Sequence, residues 1–206
     1  MTTAKILKPI TWLFHPLLIP LLASLLVFSS GHYLQFIDTK IIKLILLIVF
    51  TLSIVLPVLV IPLFYLQSII PELKMGTKKS RIIALTITLT SYILGLFLMQ
   101  RYGFPIIIIK LFYALSLNLA LLIVAQFFTK LNFHAVGWGS MIGLTLFLSI
   151  FFGLELRLVF AIILLISGIV GSIMLILKTC NPKELYPAYL LGIFGMMISM
   201  FVLYIQ

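Results

Sequence analysis

Acidic side chains are almost missing from this chain. Four Asp or Glu stand against fourteen Lys or Arg in 206 residues, only 9% of positions are charged, and the formal net charge is +10. A water-soluble domain carries about 25% charged and about 45–50% apolar residues, so a composition that is 64% hydrophobic excludes that class. There is too little polar surface to coat one. Cysteine is represented by Cys180 alone, which rules out an internal disulfide. Three histidines, one thiol and four scattered acids place no two histidines at i, i+4 and no cluster with metal-ligand spacing, so neither a metal site nor a cofactor is expected.

What the chain has in quantity is long apolar runs. Crossing the hydrocarbon core takes about 20 apolar residues per helix, and such runs occur at about 12–30, 41–66, 82–99, 105–128, 135–152, 158–177 and 187–205. In lipid every backbone group must be satisfied within its own segment, so each run is read as a helix. The expectation is a single integral membrane domain over 1–206: all-α, a polytopic bundle of about seven spans. Lys5 and Lys8 precede the first run as in a secretory signal, but no small-residue cleavage site closes it, and it is kept as a helix. The second run holds Pro57 and Pro62, each of which deletes an amide donor and distorts the preceding turn.

Strict alternation assigns the loops to two sides. The N-terminus and the 67–81, 129–134 and 178–186 loops share one side, with Lys5, Lys8, Lys74, Lys78, Lys79, Arg81, Lys130, Lys178 and Lys183. Lys40, Lys43, Arg101 and Arg157 lie on the other, with Lys110 inside the fourth run. The positive-inside rule makes the richer side cytoplasmic. If Lys74, Lys78, Lys79, Arg81 and Lys130 serve an anion instead, the count evens out and orientation stays open. Basic residues set in short loops between apolar runs face anionic head groups, so the partners expected are membrane lipids and not nucleic acid.

Three stretches on the basic side carry chemistry. In PELKMGTKKSRIIA, Pro71 to Ala84, Lys74 and Arg81 are seven apart; two helical turns would set both on one face to grip phosphate oxygens, with Lys78 between them. The plainer reading is a topogenic loop. In KLNFHAVGWGSMIG, Lys130 to Gly143, His134 stands at a helix start and Gly139 and Gly143 form a small-xxx-small contact. Here the alternative is an interfacial histidine. The third stretch is GSIMLILKTCNPKELYPAYLLG, Gly171 to Gly192, with Cys180 in its loop. His15, before Pro16, falls on the same side. On the fourth run Ser116, Asn118 and Gln126 could line a polar interior or bond across helices.

Basic loop, helix-start histidine, then a loop before the last helix: this order resembles the type 2 phosphatidic acid phosphatase superfamily, over about residues 70 to 192. Lys74 and Arg81 match its first motif in spacing, with Ile82 where the family has proline, and His134 matches the second-motif histidine, with Leu131, Asn132 and Phe133 replacing Pro-Ser-Gly. In the third motif, arginine falls on Met174, the nucleophilic histidine on Cys180 and aspartate on Glu184. The resemblance implies a bundle whose motifs meet at one membrane face, a phosphate site of Lys74, Lys78, Arg81 and His134, and catalytic positions at His134 and Cys180. It also implies loss of turnover. Met174 cannot hold a phosphate oxygen, and removing one preorganised donor costs about 3–4 kcal/mol of transition-state stabilisation.

The expected function is a phosphatase-like pseudoenzyme of the bacterial inner membrane that binds a phospholipid or prenyl phosphate. A working lipid phosphate or prenyl diphosphate phosphatase, with Cys180 attacking as a thiolate beside Lys178 and Lys183, is one alternative. A structural subunit docked to a membrane protein partner is another, and a transporter is a third.

Overall fold

The computed structural model describes residues 13–30, 37–69 and 77–205, and every regular element among them is helical. A short 3-10 turn, Pro16–Leu18, leads into α1 (Ile19–Ser29). The others are α2 (Thr39–Leu66), α3 (Lys78–Arg101), α4 (Ile106–Phe128), α5 (Phe133–Phe151), α6 (Arg157–Ile176) and α7 (Pro182–Ile205). These six, α2 to α7, are long and apolar enough to cross a membrane. Large apolar side chains on them, Leu59, Phe97, Leu165 and Ile198 among others, are exposed, as a hydrocarbon solvent requires.

Among the described residues there are thus six such helices and a shorter apolar one, Pro16–Ser29, where about seven spans were expected. The cause lies in the prolines. Pro16 holds His15 in extended backbone (φ −65°, ψ 140°), and a residue before proline is pushed out of the helical region. The remaining 14 residues rise about 21 Å at 1.5 Å each, short of a hydrocarbon core of about 30 Å.

The chain divides into two compact units, Met1–Ile19 with Leu131–Gln206, and Pro20–Lys130. In the first unit α5 is the core, the most buried of the six apolar helices. Asn132 caps its start, the side chain accepting from the Ala135 amide at 3.1 Å. Against α7 the backbones nearly touch. A Cβ on Gly139 would lie 2.6 Å from the Tyr189 carbonyl oxygen, one on Gly143 would overlap the Ile193 carbonyl, and one on Gly192 the Val136 carbonyl. At the other end of this pair Phe147, Phe151, Phe201 and Tyr204 form an aromatic cluster. On α6, Ser167 offers its carbonyl to the Tyr189 hydroxyl at 2.6 Å.

The second unit packs α2, α3 and α4. Asp38 caps α2 by accepting from the Lys40 amide at 2.8 Å. The irregularity expected from the prolines is a π turn at Thr51–Val55, directly before Pro57. Proline cannot donate to the carbonyl four residues back, and a widened turn is a known accommodation. Next to it Leu52 packs against Gly95 of α3, where a Cβ would meet the leucine at 3.0 Å. The α3–α4 hairpin closes through Gly103 at φ +65°, with the Phe104 amide donating to the Met99 carbonyl, a helix end that only a left-handed residue completes.

Candidate functional site

In the second unit the basic stretch is helical earlier than expected. Thr77 is the N-cap of α3, in extended backbone, and its hydroxyl oxygen accepts from the Ser80 amide at 3.2 Å. Lys78, Lys79 and Arg81 therefore lie on α3, which corrects their placement in the 67–81 loop. Because Thr77 is not helical, a helical face relating Lys74 to Arg81 is not continuous; Lys74 itself lies outside the described residues.

Arg81 is the unusual member of this group. It is 8% exposed, and its Nε donates to Gln126 Oε1 of α4 at 3.1 Å, with Gln126 itself 2% exposed. An amide oxygen orients a guanidinium without neutralising its charge. Lys78 is exposed and turns toward α4 as well: Nζ donates to the Phe127 carbonyl at 2.9 Å and lies 5.2 Å from the centre of the Phe127 ring. That ammonium therefore helps satisfy the carbonyl end of α4. Lys79 and Lys130 are exposed. The start of α3 and the end of α4 thus concentrate four cations, one of them buried and held.

In the first unit three other features gather at one end. His134, in the first turn of α5, meets His15 edge to face with ring centroids 5.5 Å apart. The His15 ring accepts from the Leu17 amide through Nδ1 at 3.3 Å, which requires the neutral form on that nitrogen. Burial pulls the His15 imidazole below its ordinary pKa. Beside this pair the Trp138 indole N–H donates to the Phe14 carbonyl at 3.2 Å, and the Phe14 ring meets the indole edge-on. The amide of Asn132 donates to the Glu184 carbonyl at 3.2 Å, so the loop before α5 is pinned to the first turn of α7. Two of the three stretches singled out in the sequence are neighbours here.

Cys180 precedes that turn and is buried. It follows a left-handed helix end: Lys178 has φ +52°, its amide donates to the Leu175 carbonyl and the Thr179 amide to the Met174 carbonyl, the double bond of a Schellman ending. Met174 is buried, and its sulfur accepts from the Thr179 hydroxyl at 3.1 Å. Where the resemblance has arginine there is thus a packed thioether in a helix cap. Exposed Lys178 and Lys183 flank the cysteine in sequence.

Two partnerships were not foreseen. Gln126 stood out as a polar residue inside an apolar helix, and what it holds is Arg81, 45 residues away. His15 and His134 were assigned to one side without any sign that their rings touch. Among the described residues no group of three or more His, Cys, Asp or Glu could hold a metal ion. Comparison with protein-family models, with curated proteins and with solved structures finds no match for this chain.

Proposed function

We propose that this chain is a phosphatase-like protein of the bacterial inner membrane that binds a lipid phosphate, phospholipid or prenyl, and hydrolyses it little or not at all. The observation that carries the reading is Arg81: a buried guanidinium in the first turn of an apolar helix, oriented by a neutral amide, at the position where the resemblance to the type 2 phosphatidic acid phosphatase superfamily expects a phosphate ligand. A planar fork held in one orientation suits bidentate recognition of phosphate. Lys78 and Lys79 add positive charge at the helix start, where the backbone amides also favour an anion. Lys74 and His134 enter the proposal from the resemblance.

Loss of turnover follows from the third motif. Met174 offers no donor, and a buried Cys180 replaces the nucleophile. The test is phosphatidate binding to the purified protein in phosphatidylcholine nanodiscs. A hydrogen bond to a charged group is worth about 1.5–3 kcal/mol, so Arg81→Gln is expected to weaken binding roughly 10- to 100-fold, and Arg81→Lys by less. Unchanged affinity in Arg81→Gln would overturn the assignment.

A further inference from the structure

An open groove lies at the opposite end of α3. Arg81 and Arg101 are 20 residues apart on this helix, about 30 Å at 1.5 Å per residue, which is the thickness of a hydrocarbon core. At the Arg101 end the second unit has a cavity of about 340 Å³, formed by one stripe of α2, Ile41, Leu44, Ile45 and Ile48, and by the hairpin residues Tyr102 to Pro105. Ligand sites start at about 300 Å³. The lining is almost wholly apolar, and the cavity is open to the outside: Ile41, Leu44 and Tyr102 are 51%, 55% and 73% exposed. A Cβ on Gly103 would meet nothing within 4 Å.

The cations at its rim name the occupant. Lys40 directly precedes Ile41 and Arg101 directly precedes Tyr102, so each is next in the chain to a residue of the lining; both are exposed. The one carboxylate beside them, Asp38, accepts from the Lys40 amide as the cap of α2. An open apolar slot with Lys40 and Arg101 next in sequence to its lining complements a molecule with an alkyl chain and a negative charge at one end. A neutral helix face would match the slot and leave the cations unanswered.

We infer that this groove seats an acyl chain of an anionic phospholipid, with Lys40 and Arg101 holding its phosphate. The experiment places a fluorophore in the groove with Tyr102→Trp, read against the parent chain, whose Trp12 and Trp138 give the background. Brominated phosphatidylglycerol is expected to quench the added emission at far lower mole fraction than brominated phosphatidylcholine. Each cation contributes roughly fivefold to that preference. Replacing both by glutamine brings the ratio to one, and Ile41→Phe with Leu44→Phe, which fills the slot and keeps the charge, weakens quenching by both lipids. Equal quenching by the two lipids in the Tyr102→Trp protein overturns the inference, as does absence of quenching by either, the result expected if a second copy covers the groove. Arg81→Gln leaves the preference intact, so this site stands or falls apart from the α3-start reading.

Discussion

The contact between α5 and α7 is close enough that one methyl group should be felt. A Cβ on Gly192 would overlap the Val136 carbonyl and stand 2.9 Å from both the Gly139 Cα and the Ser140 nitrogen. All three are backbone atoms, which cannot swing aside as a side chain can, so Gly192→Ala must force the helices apart. Inserting extra methyl groups into a well-packed core costs typically about 1–3 kcal/mol, and in a membrane no hydrophobic gain compensates, because packing and close approach are what hold helices together. The same substitution on α6 is the control. Gly168→Ala meets nothing within 4 Å and should gain up to about 1 kcal/mol of helix propensity. Unfolding in mixed micelles titrated with sodium dodecyl sulfate measures both, with Gly192→Ala less stable than the parent and Gly168→Ala equal or better. If the two variants unfold together, the backbone contact described here is not what holds α5 to α7.

Three further outcomes follow from the described geometry. Gln126→Leu removes the amide that holds a buried guanidinium, and is expected to destabilise by about 1.5–3 kcal/mol in the same titration, with Gln126→Glu restoring most of it. Lys178→Gly should stabilise by about 1 kcal/mol, since a left-handed φ of +52° is one that glycine adopts without strain; a loss of stability would refute the helix-end assignment. Because burial lowers the His15 pKa, docking of the Phe14–Leu18 turn on α5 is fully stable above the ordinary imidazole value of about 6.5. It weakens as pH falls below that value toward the lowered one, where the undocked state binds more protons. Trp138 emission in a Trp12→Phe background reports it, and a flat profile from pH 7.5 to 5 would contradict the burial of His15.

The six long helices were readable because a span is a matter of local length and hydropathy, and Gly139 with Gly143 because small residues at four-residue spacing mark a close helix contact. Their partner, Gly192, was not, since which helix receives a glycine face depends on the tertiary arrangement. The first run failed as a span for a local reason that was in view: Pro16 sets where the helix can begin. Basic residues misled at the start of α3. A dense run of Lys and Arg reads as solvated loop, yet Arg81 is helical and buried, and the residue that makes this tolerable, Gln126, belongs to another helix. The same holds for His15 and His134, whose meeting depends on a turn packing 119 positions from its origin. Cys180 was placed in its loop correctly, but that it is buried there is a tertiary property, which spacing does not encode.

One measurement bears on the central proposal most directly. Purified protein is incubated with phosphatidate labelled in its phosphate, and retained lipid and released phosphate are counted from the same sample. The expected result is retained lipid, reduced in Arg81→Gln, with no phosphate released above a lipid-only control. Steady release of phosphate that disappears in Cys180→Ser would contradict it, and would make this chain a working enzyme.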